Sequence, residues 1–360
     1  MTYVRNAWYV AGWTPDLPRD RPSAVNVLGE PIVLWWAEGV LRAHEDRCVH
    51  RLAPLSLGRC EGASLRCMYH GLRFDAAGRC IEIPGQAAIP DQARIRAYPV
   101  VDRHSWAWVW MGDPALADPA LIPPAVGLDD PDYILGHGYL DYAAEARLIN
   151  DNLLDFSHLT YVHAASFQAT SVFADSPARI TPLDWGIRYE RWIANSPGPA
   201  GRSNGQPVDV WSTYDFLLPG VLLMKGGNFP VGTAQACDFG PPDYARAVGG
   251  VTFTSQAVTP TGDGRARYFF SWGPHCDHGD AALRDRLMAM ADMAFAEDRV
   301  MIEGQQKVLA ATPAPRVMPT VHDRGVTLYN RLVERMARQE RAQADAPMRE
   351  MVSQGESWSG

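Results

Sequence analysis

The first third of the chain alternates short apolar runs with turn residues, the pattern of a β-rich domain. Ala24–Val27, Ile32–Trp36, Val40–Ala43, Leu65–Cys67, Leu72–Phe74, Val100–Val101 and Ser105–Met111 read as strands. Turn signals such as Leu28-Gly29-Glu30 and Asp75-Ala76-Ala77-Gly78 separate them. In Trp106-Ala107-Trp108-Val109-Trp110 the tryptophans recur at every second position, which puts them on one face of a half-buried strand. A Pro-rich stretch, Asp113 to Pro131, breaks the pattern and marks a domain boundary. Beyond it Glu145 to Val162 has helical spacing, and a β-rich region runs from about Pro177 to Trp272. A long helix then occupies about Ala281 to Ala310, and a second helical pattern, about Val326 to Arg341, leads into a polar tail. The expected organisation is an α+β chain: residues 1–120 all-β, 121–341 a sheet with helices, and 342–360 the tail.

Composition narrows the function classes. Hydrophobic residues make up 47% and charged residues 21%, as in ordinary globular proteins, and 360 residues suffice for two cores. A net charge of −8 gives no electrostatic reason to expect nucleic acid or an anionic membrane as partner. No apolar run approaches the roughly 18 residues of a membrane span, and Met1 to Trp13 lacks the features of a signal peptide. The expectation is a cytoplasmic protein without a membrane partner. Six cysteines do not make a disulfide framework in a chain of this length. Cys60, Cys80 and Cys237 have no histidine close by and read as small hydrophobes or surface thiols. Cys276 lies between His275 and His278, but no second arm accompanies it, and it reads as a loop.

Cys48 and Cys67 differ. Cys48-Val49-His50 and Cys67-Met68-Tyr69-His70 form two matched Cys-His arms. Two thiolates and two imidazoles suit zinc or a mixed-ligand iron–sulfur cluster. Zinc sites of the finger type usually pair cysteine with cysteine and histidine with histidine. Here each arm supplies one of each, as a Rieske [2Fe–2S] centre needs, with two cysteines on one iron and two histidines on the other.

A second constellation lies in Asn150 to His163. On a helix Asn152, Asp155 and His158 follow at i, i+3 and i+6, close to one face. His163 comes five residues after His158, so the helix must distort, for instance through a π-bulge, or end nearby if both imidazoles share a metal. Two histidines need a carboxylate to complete the facial triad that binds Fe(II) and leaves positions open for O₂. In the long helix the apolar stripe Leu283, Leu287, Met290, Ala294 continues into Asp298 and then Met301. A core-facing aspartate needs a metal or a cation such as Arg299.

Together these motifs resemble the Rieske non-haem iron oxygenase family across nearly the whole chain. The similarity is to the oxygenase (alpha) subunits of the vanillate O-demethylase, toluenesulfonate methyl-monooxygenase and dicamba O-demethylase branch. It is carried by Val4-Arg5-Asn6-Ala7-Trp8-Tyr9-Val10-Ala11, Cys48-Val49-His50-Arg51 and Cys67-Met68-Tyr69-His70-Gly71-Leu72. Ile83-Pro84-Gly85, Asp151-Asn152-Leu153-Leu154-Asp155 and Glu297-Asp298-Arg299 extend it. The resemblance implies a Rieske domain followed by a helix-grip catalytic domain in a head-to-tail homotrimer, where one subunit's cluster lies near its neighbour's mononuclear iron. By position it gives the cluster to Cys48, His50, Cys67 and His70, and the iron to His158, His163 and Asp298. Asp155 then bridges a cluster histidine and an iron histidine, and Asn152 stands one turn earlier as a supporting group.

The activity implied is monooxygenation of a small aromatic, an aromatic acid bearing a methyl or methoxy group. One atom of O₂ enters a C–H bond, and a hydroxylated methoxy carbon loses formaldehyde. Arene cis-dihydroxylation would use the same metals, and a pure Rieske electron carrier would need only the first third of the chain. No G-x-G-x-x-G follows a strand and no plant-type ferredoxin spacing occurs. Electrons are therefore expected from a separate ferredoxin or flavin reductase component, with NAD(P)H used only indirectly. Lys225 and Asn228, in the β-rich region, are candidates for recognising a carboxylate or sulfonate, with a solvated strand-end lysine as the alternative for Lys225.

Overall fold

The computed structural model describes residues 3–164, 166, 176–197 and 206–355, with side chains described to residue 343. Residues 198–205 of the expected β-rich region and 356–360 of the expected tail lie outside the described residues.

The N-terminal part is built from eleven short strands in three antiparallel sheets. These are β1 (Trp8–Trp13), β2 (Ser23–Val27), β3 (Glu30–Ala37), β4 (Val40–Glu45), β5 (Arg59–Glu61), β6 (Ser64–Arg66), β7 (Arg73–Asp75), β8 (Cys80–Glu82), β9 (Ala97–Tyr98), β10 (Val100–Arg103) and β11 (Trp106–Trp110). The sheets have the orders β1-β11-β10, β2-β3-β4-β9 and β5-β6-β7-β8. The last is a small meander whose strands frame the Cys-His arms.

All five residues of β11 are buried, so it is a fully buried strand and not the half-buried one expected from its alternation. The cause is tertiary. Trp106, Trp108 and Trp110 pack with Trp8, Trp13, Val221, Leu223 and Phe269, while Ala107 and Val109 face a second core. A strand covered on both faces loses the polar alternation that marks a half-exposed one.

The C-terminal part is one seven-stranded antiparallel sheet, order β12-β18-β17-β16-β15-β14-β13. It comprises β12 (Gly136–Tyr142), β13 (Arg179–Leu183), β14 (Gly186–Ser196), β15 (Val208–Leu217), β16 (Val221–Phe229), β17 (Gly249–Gly262) and β18 (Arg265–Pro274). Its helices are α1 (Ala146–Leu153), α2 (Leu159–Val162), α3 (Thr233–Ala236), α4 (Ala281–Ala311) and α5 (Arg324–Gly355). One face of the sheet carries the tryptophan core shared with the N-terminal domain. Hydrogen bonds pin that seam: Trp13 Nε1–H donates to Gly138 O at 3.0 Å and Thr259 Oγ1 to Val10 O at 2.6 Å.

The other face grips α4. Phe295 sits 4.8 Å from Phe270 and 5.0 Å from Tyr268, ring centre to ring centre, and Tyr142 Oη donates to Phe295 O. Gly136 permits the approach, because a Cβ there would lie 2.5 Å from Met288 Cγ. The buried stripe of α4 is Leu287, Ala291, Ala294, Asp298 and Ile302. Met301, expected on this stripe, is 59% exposed and Ile302 takes its place.

Two further boundaries differ from expectation. The helical stretch Glu145–Val162 is broken: α1 ends at Leu153, a 3-10 turn covers Phe156–His158, and α2 follows. α5 continues to Gly355, so the polar composition of residues 342–355 belongs to a helix. Its Glu340 accepts the Arg5 and Asn6 N–H groups at 2.9 and 2.7 Å, which ties the helix back to the N-terminus. None of the helices of the described residues is long and apolar enough to cross a membrane.

Candidate metal centres and active site

The two Cys-His arms fold as near copies of one loop. Cys48 N–H donates to Ala53 O and Leu52 N–H returns to Cys48 O, both at 2.9 Å. Cys67 N–H donates to Leu72 O at 2.8 Å and Gly71 N–H returns to Cys67 O at 3.0 Å. The fourth residue after each cysteine is left-handed, Leu52 at φ 57° and Gly71 at φ 79°. Pro84 closes over the second arm, since a Cβ on Gly71 would lie 2.8 Å from its Cγ.

The loops bury both thiols, each residue 1% exposed, and leave His50 and His70 on the outside with ring centres 4.4 Å apart. Burial pushes the Cys48 thiol up to about 11, with the neighbouring Cys67 thiol adding to it. Two thiols held together in an apolar pocket suit metal coordination, which deprotonates a thiol outright. Buried sulfur within and paired imidazoles without is the donor set of a Rieske cluster.

The second constellation converges as well. Ligand atoms of His158, His163 and Asp298 all lie within 4.8 Å of one another. Asp298 Oδ1 is 3.5 Å from His158 Nε2 and 3.3 Å from His163 Nε2. Asp298 is 4% exposed and His163 1%, so the triad sits inside the protein at the junction of α1, α2 and α4. No ion pair with Arg299 forms among the described residues. The asymmetric set of two imidazoles and one carboxylate fits a non-haem Fe(II). Burial alone would lower the His163 pKa, but hydrogen bonds and the charges of Asp298 and Glu297 outweigh it and raise it.

The break in the helix is what brings the histidines together. Leu154 is still helical, whereas Asp155 is extended (φ −131°, ψ 96°) and caps the next turn, its Oδ1 accepting Ser157 N–H at 2.8 Å. Aspartate favours such caps because its carboxylate competes with helical hydrogen bonding. The single-helix face expected for Asn152, Asp155 and His158 is therefore replaced by a corner, and no π-bulge is involved. Asn152 and His158 still meet: Asn152 Nδ2 donates to Asp298 Oδ1 at 3.1 Å and lies 3.4 Å from His158 Nε2. Asp155 meets His158 through its main-chain oxygen, 2.5 Å from Nδ1. The second oxygen of its carboxylate accepts no hydrogen bond among the described residues.

In the sequence Glu297 is only part of a motif, yet its Oε2 lies 2.9 Å from His163 Nδ1 and accepts the Ser166 hydroxyl at 2.6 Å. The one signal for it in the sequence is an acidic residue directly beside a core aspartate.

Strand register separates the two candidates for anion recognition. Cross-strand partners share a face and alternate residues oppose each other. Asn228 opposite Val210, and Met224 opposite Tyr214, belong to the face that grips α4. Asn228 is 4% exposed and its Nδ2 has no hydrogen-bond partner among the described residues. Lys225 points to the opposite face, where its Nζ lies 3.9 Å over the Tyr244 ring and burial lowers its pKa. It stands in mid-strand, so the strand-end reading does not apply either. His275, Cys276 and Asp277 do have ligand atoms within 4.8 Å of one another, but they are consecutive residues around an exposed 3-10 turn, where such proximity is local geometry.

A β-rich N-terminal domain with this loop pair, followed by a helix-gripping sheet with a buried two-histidine, one-carboxylate triad, defines a Rieske-type non-haem iron oxygenase. Comparison with known proteins agrees. Residues 7–99 match the Rieske [2Fe-2S] domain and residues 142–339 the vanillate O-demethylase oxygenase C-terminal domain. The chain is 36% identical to the toluene-4-sulfonate monooxygenase system iron-sulfur subunit of Comamonas testosteroni, over 94% of this chain and 98% of that one. It is 34% identical to a vanillate O-demethylase oxygenase subunit of Pseudomonas sp. strain HR199, over 96% and 98% of the two chains. The crystal structure of dicamba monooxygenase bound to dicamba superposes with a TM-score of 0.82 at 29% identity, covering 95% of this chain and 100% of that one.

The chain belongs to the Rieske oxygenase family, in the vanillate O-demethylase branch of oxygenase subunits. It is an oxidoreductase, the O₂-dependent oxygenase component of a multi-component system, with a Rieske [2Fe–2S] cluster and a mononuclear iron, and it draws electrons from a separate partner component.

Proposed function

We propose that this subunit hydroxylates or O-demethylates a small aromatic acid, with His158, His163 and Asp298 holding the mononuclear iron and Cys48, Cys67, His50 and His70 holding the cluster. The observation that carries this reading is the convergence of the triad on one point, with His163 and Asp298 buried and His158 half-buried. The cluster supplies single electrons, and the iron supplies O₂ activation. The chain's own residues do the rest. Asn152 donates to the Asp298 oxygen that faces both histidines, which holds that carboxylate in one orientation. The face that grips α4 screens the site from bulk water, and Asn228 offers it an unsatisfied amide N–H. An aromatic carboxylate or sulfonate supplies the acceptor this donor lacks. The compounds after which the relatives are named, toluenesulfonate, vanillate and dicamba, share an aromatic ring with an acid group, which supports the same class.

The cluster histidines are exposed on the surface of the N-terminal domain, and the second oxygen of Asp155 accepts no hydrogen bond among the described residues, where the charge of Arg191 acts on it. Both facts support a head-to-tail homotrimer, in which Asp155 accepts a hydrogen bond from a cluster histidine of the next subunit. A carboxylate there couples the two centres by fixing both imidazole tautomers. The domain division at about residue 120, a flavin- or ferredoxin-containing reductase drawing on NAD(P)H, and a cytoplasmic location complete the reading.

Reconstitution with a compatible reductase and a panel of methoxybenzoates, toluenesulfonates and methylated phenols tests the substrate class. Formaldehyde or hydroxylated product should appear with acids and fall sharply for their methyl esters. Faster turnover of the neutral compounds would overturn it.

A further inference from the structure

The two histidines beside Asp298 are held from behind by different groups. His158 turns Nδ1 to a neutral partner, the main-chain oxygen of Asp155 at 2.5 Å. His163 turns Nδ1 to the Glu297 carboxylate at 2.9 Å. The same Glu297 oxygen accepts the Ser166 hydroxyl at 2.6 Å, which restrains it on its far side. Glu297 and Asp298 are consecutive on α4, and successive helical positions diverge by about 100°. Asp298 therefore enters the space between the imidazoles, facing both Nε2 atoms, while Glu297 reaches the back of the His163 ring.

We propose that Glu297 is a positioning residue for the mononuclear iron: held by Ser166, it fixes the proton of His163 on Nδ1 and makes that imidazole the more basic of the two histidine ligands. This rests on the reading that His163 binds the iron. With Nδ1–H donated to the carboxylate, the Nε2 lone pair is left facing Asp298 and the metal. A carboxylate behind the ring makes imidazole a stronger donor than a carbonyl does, so the two ligands are electronically unequal. The negative charge also favours the oxidised over the reduced iron.

The test uses the full-length protein and reads iron binding, not turnover. In Glu297→Gln the amide oxygen still accepts from His163 and Ser166, so only the charge is lost. Competition with a ferrous chelator should show Fe(II) held about 10- to 100-fold more weakly. The Rieske spectrum and the melting curve should be unchanged, and the EPR signal of the ferrous nitric oxide adduct should shift. Glu297→Asp, which keeps the charge, should recover part of the affinity, and Ser166→Ala should weaken it less than Glu297→Gln does. His163→Ala separates the two claims. Should it lose the iron while Glu297→Gln binds Fe(II) like wild type with an unaltered nitrosyl signal, the role of Glu297 fails and the iron site stands. Wild-type iron in His163→Ala removes the site assignment itself. Loss of the cluster signal together with the iron in Glu297→Gln would mark a residue of the fold and overturn the proposal as well.

Discussion

Among single residues, two positions in the N-terminal domain, buried His44 and half-buried Gly71, have measurable consequences. His44, 1% exposed, accepts a hydrogen bond from Trp35 Nε1 at 3.0 Å. Burial lowers its pKa from 6.5 to about 4, against a smaller opposing pull from the Ala76 backbone. Between those values the unfolded chain binds a proton that the folded chain does not, so stability present above pH 6.5 is lost as pH falls through the window. The loss is on the order of 3 kcal/mol. His44→Gln keeps an acceptor for Trp35 and removes the titration, and its urea midpoints should fall less steeply between pH 7 and pH 4 than those of wild type. Parallel slopes would exclude His44 as the source. Gly71 combines a φ of 79° with Pro84 Cγ 2.8 Å from where a Cβ would lie. Gly71→Ala should cost about 2 kcal/mol or more and bleach the visible absorbance of the cluster. A variant with full colour and native stability would show that the loop tolerates a side chain.

At the scale of elements, the corner at Asp155 carries most of the lesson about what a sequence reveals. The candidate ligands are legible in the sequence: residue type and the polar interruption of an apolar stripe single out His158, His163 and Asp298, whose ligand atoms lie within 4.8 Å of one another. The backbone that delivers them is not. Helical spacing continues through Leu154 and Phe156, and the stop signal is one aspartate followed two residues later by an acceptable N–H donor, a weak local preference that tertiary packing decides. Phe156 stacks on Tyr214 at 4.8 Å, and Tyr189 donates to Leu154 O at 2.6 Å, so the sheet holds the corner open from outside the segment. Asp155→Ala removes the Ser157 cap, worth about 1 kcal/mol, and should loosen the turn. Asp155→Asn keeps an acceptor oxygen for Ser157, so both metals should remain while electron transfer from cluster to iron slows. Loss of metal in Asp155→Asn would contradict a bridging role. Alternation misleads in β11 for a related reason, because its tryptophan face is buried partly by Val221, Leu223 and Phe269 of a domain distant in sequence. Lys225 could not be oriented without strand register.

At the scale of the whole molecule, the two centres of one chain lie on different domains, joined by the tryptophan seam and by the Glu340 clasp between α5 and the N-terminus. If each cluster serves the iron of a neighbouring subunit, damage to the two centres should complement. Chains carrying Cys48→Ser and chains carrying His158→Ala should each be inactive alone, whereas co-expressed mixtures should regain turnover. Mixtures as inactive as their parents would mean that electrons do not cross between subunits.

If one chain carries two separate metal centres, a Rieske cluster and an iron held by His158, His163 and Asp298, loss of one should spare the other. Iron and acid-labile sulfide analysis of His158→Ala, with EPR of the reduced protein, tests it most directly. The variant should lose one iron per chain and all turnover while keeping its sulfide and an unaltered Rieske signal. Retention of wild-type iron, or loss of the cluster along with it, would contradict the claim.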